Sequence, residues 1–515
     1  MIRIGIDVGG TNTDAVAMDA SGVIAGIKAS TTADVMTGVV NALRAILEAS
    51  RLEADAIDAV MIGTTHFTNA VVQRRDLAQT AAVRLGLPAT ASLPPMVDWP
   101  DDLKEAIGNN AWLAHGGNEF DGRAISDLDE AELLRIAAEI DRRGIRSVAI
   151  TSVFSPASGD MEKRAAALFE DAIPGVYVTL SSEIGRIGLL ERENAAIMNA
   201  CLRELSANVV NAFRKAIAET GIKGRFYLTQ NDGTLMDAAF AERFPVLTFA
   251  SGPTNSMRGA AFLSGVKEAI VVDIGGTTSD VGALHKGFPR QATTAVEVGG
   301  VRTNFRMPDV FSVGLGGGSH VVETAEGIRV GPASVGYRLV QDALIFGGSV
   351  LTTSDVMVAS GRADLGERSK VAHLTPEFID KARARMREML EGCVERSRLS
   401  DTPLPVIVVG GGSILVDGPI GGLQVIKPNH YAVANAVGAA IAQVSGEVDR
   451  VYVLSQTTRD QALADAKARA VDAAVAAGAA RETIEIVDVE DVPLAYLPGN
   501  ATRIRIRAVG ELHVG

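Results

Sequence analysis

Two stretches of the sequence repeat the same order of carboxylate, glycine and hydroxyl residues. The first reads GIDVGGTNTD at 5–14 and the second reads DIGGTTSD at 273–280, and each includes or follows an apolar run typical of a strand. A strand that ends in Asp-x-Gly-Gly-Thr predicts a tight turn, with backbone N–H groups and a hydroxyl that no Cβ atom obstructs. Such a turn can bind the oxygens of a phosphate group.

Together the two turns predict a clamp that holds one polyphosphate between two halves of a duplicated fold. Asp7 and Asp273 would flank a magnesium ion, because magnesium favours carboxylates and keeps part of its water shell. The predicted phosphate-binding residues are Gly9, Gly10, Thr11, Asn12, Thr13, Gly275, Gly276, Thr277 and Thr278. A single Gly-Gly-Thr turn is common, and Asp14 and Asp280 could simply cap the structure that follows. The repetition favours the clamp.

A third glycine-rich strand end, VVGGGS, lies at 408–413. It fits a loop that lets an adenosine approach the backbone, and the residues concerned are Gly410, Gly411, Gly412 and Ser413. Glycines at strand ends are also points of close packing, so this stretch taken alone is compatible with either role.

The composition limits the class of protein. At 515 residues the chain is long enough for two or three domains, and 47% hydrophobic with 22% charged residues is typical of a globular protein. A net charge of −13 argues against general nucleic-acid binding. The apolar runs are too short for a membrane-spanning helix or a signal peptide, and two distant cysteines, Cys201 and Cys393, provide neither a disulfide framework nor an iron–sulfur site. We therefore expect a cytoplasmic protein.

Strand-length apolar runs alternate with helical stretches along the chain, a pattern that predicts mostly parallel sheets covered by helices. Helices are expected at 127–143, 187–219 and 458–480. The Pro- and Gly-rich segment 84–123 is expected to form loops. The tail from about 449 predicts a small appended α/β subdomain.

The order and spacing of the three glycine motifs resemble the actin/Hsp70/hexokinase superfamily of ATPases. The chain is more closely similar to the hydantoinase A/oxoprolinase family, whose members are ATP-dependent hydrolases of ring amides. The phrases that carry the closer resemblance are spread over residues 1 to about 440: IGTTHFTNAVVQRR (62–75), GGNEFDGR (116–123), ERENAAIMNACL (191–202), TQNDGTLM (229–236), SGPTNSMRGA (251–260), VGLGGGSH (313–320) and RVGPASVG (329–336).

The resemblance implies a fold and a set of partners. The expected fold is α/β, with duplicated actin-like (ribonuclease H-like) ATPase lobes. The first phosphate loop belongs to an N-terminal lobe at 1–180, the second loop and the adenosine motif belong to a lobe at 181–446, and a small C-terminal α/β subdomain follows at 447–515. ATP and magnesium, or manganese in its place, are the implied cofactors. The implied partners are a small cyclic amide and a B-type hydrolase subunit, without nucleic acid or membrane, and self-association is left open.

The implied chemistry is phosphorylation of an amide carbonyl oxygen, which removes the resonance that protects a hydantoin, oxoproline or lactam from water. Phosphoryl transfer depends on positioning and charge neutralisation, the roles given to Asp7 and Asp273. His66, in the phrase GTTHFTNA, is the first choice for a catalytic residue on the substrate side, where a neutral imidazole could relay a proton. A buried histidine bonded to backbone groups is the structural alternative.

Other polar residues in the same phrases have both a substrate-facing and a structural interpretation: Asn69, Arg74, His115, Asp121, Glu191, Arg192 and His320. The structural one is favoured for the last five. The sequence departs from the family at 337–348, where YRLVQDALIFGG replaces a Pro-Gly-Pro-Ala-Cys-Tyr phrase usual in larger members. This departure lies near the expected active cleft, so a nucleotide-binding scaffold without turnover remains an alternative. A small-molecule kinase, which would share the clamp, is the other.

Overall fold

The computed structural model describes residues 1–9, 12–30, 35–120, 122–156, 158–184, 187–292, 296–304, 307–398, 402–455, 457–494 and 500–513. Its strands, numbered in chain order, are β1 Arg3–Val8, β2 Asn12–Asp19, β3 Gly22–Ser30, β4 Ala59–Thr64, β5 Thr80–Leu87, β6 Asn110–His115, β7 Ser147–Ser152, β8 Tyr177–Leu180, β9 Arg225–Thr229, β10 Thr234–Asp237, β11 Ala269–Ile274, β12 Ser279–His285, β13 Phe288–Pro289, β14 Val296–Val298, β15 Val301–Thr303, β16 Val310–Val313, β17 Ser319–Thr324, β18 Gly327–Ser334, β19 Val406–Val409, β20 Val425–Ile426, β21 Gln443–Val453, β22 Glu485–Pro493 and β23 Ala501–Gly510.

The α-helices, numbered in the same way, are α1 Val35–Ser50, α2 His66–Gln73, α3 Asp101–Ile107, α4 Glu130–Arg142, α5 Asp160–Ala172, α6 Ser181–Ile184, α7 Leu189–Glu219, α8 Ala238–Arg243, α9 Ser251–Ser264, α10 Leu339–Asp342, α11 Thr353–Ala359, α12 Pro376–Ser397, α13 Ala434–Ala440 and α14 Arg459–Ala476. The three helices expected from the sequence are confirmed as α4, α7 and α14, with ends that differ by a few residues.

The first lobe is built on a nine-stranded sheet with the order β22-β23-β21-β10-β9-β4-β1-β2-β3. Its central strands β1 and β4 are parallel and buried over almost all of their length, which explains why they read as continuous apolar runs. Helix α1 packs against this sheet through apolar side chains such as Leu43 and Ile46, and α7 packs on α1 and joins the same apolar cluster through Phe213. The strand that leads into the first glycine turn is therefore held by an apolar core.

A four-stranded sheet is inserted between α2 and α7, with the order β6-β5-β7-β8 and all neighbours parallel. A buried ion pair between Arg84 of β5 and Glu193 of α7 ties it to the first lobe. The expectation of loops at 84–123 is wrong in part, because this segment contains α3 and β6. β6 is an edge strand of mixed exposure, so its apolar signal is weak beside the neighbouring glycines and prolines.

The second lobe is built on the sheet β13-β12-β11-β19-β20, with β16 paired to β12. Here β11 runs parallel to β19 and antiparallel to β12. One apolar cluster on this sheet includes Met386 and Leu390 of α12, and another includes Met257 of α9. The second glycine turn joins β11 to β12, and the third follows β19.

The two lobes repeat one hairpin. Asp7 pairs with Asp14 across β1 and β2, and Asp273 pairs with Asp280 across β11 and β12. Each turn is closed by the same backbone hydrogen bond, from the first glycine N–H to the carbonyl three residues later: 3.0 Å from Gly9 to Asn12 and 2.9 Å from Gly275 to Thr278. Equal register and equal closure confirm the duplicated α/β fold.

Two helices cross between the lobes with their backbones in contact. α9 touches β4 of the first lobe and both β11 and β19 of the second, and it packs on α13. A Cβ atom on Gly259 would lie 1.8 Å from the Ala434 carbonyl oxygen, and one on Gly438 would lie 1.8 Å from the Asn255 carbonyl oxygen. Glycine is therefore required on both sides of this crossing.

The C-terminal residues extend the sheet of the first lobe. β21 pairs with β10, and β23 and β22 follow as antiparallel neighbours. α14 packs closely on this extension through four alanines that are buried at successive turns: Ala462, Ala466, Ala470 and Ala474. The tail is thus an α/β unit, as expected, but it has no sheet of its own. The boundaries at 180 and 446 stay predictions, since one sheet draws strands from all three predicted segments.

Within the ranges described above, no helix is both long enough and apolar enough to span a membrane. Cys201 and Cys393 are both buried and unbonded to each other.

Candidate active site

Asp7 lies near the end of β1, beside the first glycine turn, and only 5% of its surface is exposed. The Asn435 amide of α13 donates to its Oδ2 at 2.9 Å. The Asn255 amide of α9 also lies beside the carboxylate and favours its charged form, but no described group hydrogen-bonds to Oδ1 with good geometry. Burial first, and the Asp14 carboxylate second, raise the pKa of Asp7 to about 6. A buried, unpaired acceptor oxygen suits a cation or a cation-bound water.

Asp14 pairs with Asp7 across the hairpin and binds the ammonium group of Lys28 on β3. The lysine Nζ lies 2.6 Å from Oδ1 and 2.7 Å from Oδ2. Burial raises the pKa of Asp14, and the lysine opposes this shift. Asp14 is therefore the partner of a cation within a strand, and does not cap a helix. The role of Lys28 is not visible in the sequence, since one lysine in a strand has no distinctive local pattern.

Asp273 holds the equivalent position in the second lobe. Burial raises its pKa to about 7, the Ser256 hydroxyl bonds to it and lowers the pKa, and the carboxylates of Asp280 and Asp7 raise it further. Asp280 in turn accepts a hydrogen bond from the Ser312 hydroxyl. Because the charge of Asp7 acts on Asp273, the two carboxylates lie close to each other although they belong to different lobes.

Helix α9 supplies neighbours to both carboxylates. Asn255 lies beside Asp7, and the next residue, Ser256, bonds to Asp273. The Asn255 amide also donates to Thr229 Oγ1 at 3.0 Å, which fixes its orientation. Both residues lie in the phrase SGPTNSMRGA, which contributed to the family resemblance without indicating a role for either side chain. Only the fold reveals that they connect the two halves of the clamp.

The phrase VGLGGGSH supports the second turn from one side. The N–H groups of Gly317 and Gly318 donate to the two glycine carbonyls of the turn, at 3.0 and 2.7 Å. A Cβ atom on Gly316 would lie 2.5 Å from the turn backbone, so this approach requires glycine. The predicted phosphate-binding residues of this turn remain partly or fully exposed: Gly275, Gly276, Thr277 and Thr278.

The first turn is described in part. Gly9 and Asn12 are partly exposed, whereas Thr13 is buried within β2, with 1% of its surface exposed. Gly10 and Thr11 lie outside the described residues. Among the described residues of this predicted phosphate loop, Gly9 and Asn12 are therefore the accessible ones.

The third turn combines close packing with one accessible glycine. A Cβ atom on Gly410 would lie 2.3 Å from Asp273 Oδ1, and one on Gly412 would lie 2.5 Å from an isoleucine side chain of β11. Ser413 is buried, and its hydroxyl donates to the Gly410 carbonyl at 2.6 Å. Gly411 is exposed and faces the opposite lobe. Packing therefore accounts for two of the three glycines, and Gly411 is the one with room for a ligand.

His66 begins α2 next to the first turn. Its Nδ1 lies 2.6 Å from Thr64 Oγ1, and the neighbouring Thr65 hydroxyl donates to the Val8 carbonyl at 3.5 Å. Burial lowers the pKa of His66, so the imidazole is neutral at pH 7. Its ring partner is a side-chain hydroxyl rather than the backbone of the structural alternative. Among the described residues nothing bonds to Nε2, which leaves this atom for a substrate.

The remaining polar residues singled out in the sequence have mostly structural partners. Arg74 binds Asp102 and the Gly299 carbonyl, and His115 binds Glu132. Glu191 pairs with Arg302, and Arg192 donates to the Ser152 carbonyl and to Ser181. His320 forms a backbone bridge with Thr352. Asn69 is exposed, and its amide donates to Thr65 Oγ1 at 3.3 Å. Asp121 lies outside the described residues.

The divergent segment 337–348 adjoins the second turn. A Cβ atom on Gly336 would lie 3.7 Å from Thr277 Oγ1, which places the start of this segment beside the predicted phosphate loop. Its side chains Tyr337 and Val340 are 69% and 65% exposed. Two exposed apolar side chains at the edge of a polar cleft are suited to contact with a substrate.

The carboxylates fit a hydrated magnesium or manganese ion better than a metal held by protein ligands alone. In the described part of the chain, no three histidine, cysteine, aspartate or glutamate side chains come together around one point. Asp7 and Asp273 instead offer one carboxylate from each lobe, with a buried unpaired oxygen on Asp7. Hard cations that keep much of their water shell bind in this way, together with the phosphates of a nucleotide.

Two family models match the chain. The hydantoinase/oxoprolinase N-terminal region matches residues 3–173, and hydantoinase/oxoprolinase matches residues 192–370, together more than half of the length. The chain belongs to the hydantoinase/oxoprolinase family. The first model contains the first glycine turn and the second model contains the second turn, so membership of the hydantoinase/oxoprolinase family rests on both halves of the clamp.

Relatives of this hydantoinase/oxoprolinase chain include two named enzyme subunits. Caprolactamase subunit alpha from Pseudomonas jessenii is 27% identical, over 88% of this chain and 68% of the relative. Acetophenone carboxylase gamma subunit from Aromatoleum aromaticum is 28% identical, over 70% of this chain and 53% of the relative. This chain thus spans between about half and two thirds of the length of these relatives.

A solved structure has the same fold. The crystal structure of ATP-dependent caprolactamase from Pseudomonas jessenii superimposes with a TM-score of 0.79 at 19% identity, over 99% of this chain and 88% of that chain. The two lobes and the C-terminal extension of the sheet therefore belong to a fold that this caprolactamase shares.

Proposed function

We propose that this chain is the ATP-binding subunit of an ATP-dependent hydrolase that activates a cyclic amide by phosphorylating its carbonyl oxygen. The observation that carries the proposal is the pair of equivalent glycine hairpins that bring Asp7 and Asp273 close together from opposite lobes. A polyphosphate held between the two turns would be neutralised by a divalent cation at these carboxylates, as phosphoryl transfer requires.

The relatives support a carbonyl compound as the acceptor. Caprolactam is a cyclic amide, and acetophenone is a ketone, so the names of the two relatives share a carbonyl oxygen. The family description adds hydantoin and oxoproline, which are cyclic amides as well. A cyclic amide is therefore our first choice, and a ketone is a defined alternative in the experiment below.

In the proposed reaction the amide oxygen attacks the γ-phosphorus of ATP, and the bond from that phosphorus to the ADP oxygen breaks. The ring nitrogen then loses its proton, which leaves a neutral imidate phosphate. Water adds to the carbon, the amine leaves with a proton, and an acyl phosphate forms. A second water attacks that carbon, and phosphate departs with the former carbonyl oxygen. The overall reaction converts lactam, ATP and two waters into amino acid, ADP and phosphate.

The residues of this chain have distinct parts in the first steps. The exposed backbone and hydroxyls of the second turn would orient the phosphates, and Asp7 and Asp273 would hold a divalent ion, which would supply charge neutralisation. His66 lies beside the first turn with Nε2 available and a neutral ring, so it is suited to accept the proton from the ring nitrogen. The two turns and His66 together would complete the phosphorylation within this chain.

A second subunit would complete the hydrolysis of the activated amide. Both named relatives are described as subunits, alpha and gamma, which supports an assembly with other chains. A B-type hydrolase subunit is the partner that we propose, and a cytoplasmic location remains our prediction. The experiment therefore includes the protein alone and the protein with a B-type partner.

The test follows an oxygen-18 label placed in the carbonyl of caprolactam, hydantoin or 5-oxoproline. With magnesium and ATP, we expect amide-dependent phosphate that carries the label, because the carbonyl oxygen leaves with phosphorus. Asp273→Asn should reduce this release by about 100- to 1000-fold. Asp472→Asn, at a 68% exposed side chain, is the control and should leave the rate unchanged.

Each other outcome identifies a different function. Unlabelled phosphate, released equally without amide, would mean simple ATP hydrolysis and would overturn the proposal. A stable phosphorylated product without phosphate release would favour the small-molecule kinase. Binding of ATP without any turnover, alone and with the partner, would favour the scaffold. Phosphate release that depends on acetophenone but on none of the amides would assign the ketone as substrate.

A further inference from the structure

Lys28 lies on β3 directly opposite Asp14 and forms both of its close polar contacts there, at 2.6 and 2.7 Å. The two partners differ in accessibility: 34% of the lysine side chain is exposed, against 4% of the aspartate side chain. The ammonium group is therefore anchored on the first lobe while its outer side remains open to solvent.

The same lysine reaches the second lobe. A Cβ atom on Gly411 would lie 3.7 Å from Lys28 Cε and 3.9 Å from Lys28 Nζ. Gly411 is the exposed glycine of the third turn, the turn predicted to approach an adenosine. Lys28 thus lies between β2 of the first lobe and the third turn of the second lobe.

The charges around Lys28 are mostly negative. Its ammonium lowers the pKa of three carboxyl groups, those of Asp7, Asp14 and Asp273, and it is the cation that acts on all three. Burial of these groups raises the same pKa values, so a cation in this position favours their charged forms. A lysine ammonium has three donors on a flexible stem, so it can keep one contact with Asp14 and offer others to a ligand.

We propose that Lys28 is a nucleotide-binding residue of the clamp, which contacts the polyphosphate between the first lobe and the third turn. This inference rests on the proposed ATP site and adds to it a cation from the first lobe. In this role Lys28 acts on the nucleotide directly. In a purely structural role, Lys28 would act only through its pairing with Asp14.

The experiment measures the dissociation constants of adenosine, magnesium–ADP and magnesium–ATP by calorimetry for wild type, Lys28→Met and Lys28→Arg. We expect Lys28→Met to weaken ADP and ATP by about 10- to 100-fold and to leave adenosine unchanged, because only the phosphates receive the charge-assisted contact. Lys28→Arg should recover part of the loss. Lys381→Met, at a 57% exposed lysine on α12, removes the same charge away from the cleft and should have no effect.

The Asp14→Asn background separates the two roles. If Lys28 serves only to neutralise Asp14, Lys28→Met will cost nothing further once Asp14 is neutral, and the inference is overturned. If Lys28 contacts phosphate, the loss for ATP persists in that background. Equal losses for adenosine and ATP would also overturn it, since they would indicate a damaged pocket.

Failure of the inference can be told apart from failure of the proposed function. If wild type binds magnesium–ATP, Asp273→Asn loses this binding and Lys28→Met keeps it, the clamp is supported and the proposed role of Lys28 is rejected. Wild type that binds no nucleotide at all would reject both.

Discussion

Burial disfavours the charged forms of the carboxyl groups at the proposed site. Burial raises the pKa of Asp7 to about 6 and that of Asp273 to about 7, and it raises the pKa values of Asp14 and Asp280 as well. Lys28 opposes the shift at the first three of these groups. Since an aspartate in an unfolded chain has a pKa of about 3.9, the folded protein binds more protons than the unfolded one between these values.

This difference makes stability depend on pH. As pH rises from about 4 to about 7, the unfolded chain loses its protons first, so the free energy of unfolding of protein without nucleotide falls. The double variant Asp7→Asn/Asp273→Asn lacks both carboxyl groups. We therefore expect its free energy of unfolding, relative to that of wild type, to increase by at least about 1 kcal/mol from pH 5 to pH 8. Urea unfolding at the two pH values measures the difference. A difference that is the same at both would contradict the raised pKa values.

We expect His66 to affect the rate of the chemical step and not the affinity for nucleotide. The variant His66→Gln keeps a polar group near Thr64 but cannot accept a proton, so amide-dependent phosphate release should fall by about 100- to 10,000-fold. The dissociation constant for magnesium–ATP should stay within twofold of wild type. His285→Gln, at a 67% exposed histidine, is the matched control. Loss of ATP affinity in His66→Gln would indicate a structural role instead.

At the scale of elements, the crossing of α9 and α13 determines how the two carboxylates face each other. α9 carries the neighbours of both Asp7 and Asp273, and α13 carries Asn435, which donates to Asp7. The helices touch through backbone atoms at their glycines. A change of one methyl group at this crossing therefore acts on both halves of the site.

The variant Gly259→Ala tests this arrangement. Its Cβ atom would need space that the Ala434 carbonyl oxygen occupies at 1.8 Å, so we expect a loss of stability of about 1 to 3 kcal/mol and weaker binding of magnesium–ATP. Gly392→Ala, within α12 and with no atom within 4 Å of its added Cβ, should instead gain about 0.5 to 1 kcal/mol. Denaturant unfolding of the two variants gives the comparison. We expect the free energy of unfolding to fall in Gly259→Ala and to rise in Gly392→Ala. Equal changes in the two variants would contradict the close backbone contact between α9 and α13.

Local patterns predict the hairpins but not their neighbours. Asp7, Asp273 and the turns could be found because each motif is continuous in sequence and occurs twice. Lys28, Asn255, Ser256 and Asn435 were missed, since their roles come from contacts between segments that are far apart in the chain. The requirement for Gly410 and Gly412 also has a tertiary cause, because both glycines pack on β11.

At the scale of the whole molecule, one sheet joins the beginning and the end of the chain. The order of nine strands places β21–β23 beyond β10, and the alanine face of α14 packs on them. The sequence predicted the helix and strands of this tail from their periodicity. The sequence could not predict that these strands join the sheet of the first lobe, because only two residue pairs connect β10 to β21.

Removal of residues 443–515 should therefore damage the first lobe and not merely shorten the protein. The apolar side chains of Met61, Tyr227 and Leu235 contact the tail cluster and would become exposed. We expect the fragment 1–442 to be insoluble, or to unfold at a clearly lower temperature than the full chain. Calorimetry and soluble yield measure this. A soluble fragment with an unchanged unfolding midpoint would show that the tail is an independent domain.

In the proposed ATP site, carboxylates outnumber the ammonium group of Lys28, so we expect nucleotide binding to require the metal and the nucleotide together. The carboxylate of Asp14 acts on Asp7, and those of Asp7 and Asp280 act on Asp273, while Lys28 is a described cation that acts on Asp7 and Asp273. Above neutral pH, a bare polyphosphate would meet repulsion, whereas a polyphosphate that arrives with its metal brings the missing positive charge. Occupancy would then follow the product of two concentrations, those of the free metal and of the nucleotide. We therefore expect the proposed site to stay empty where nucleotide is abundant but free magnesium is scarce.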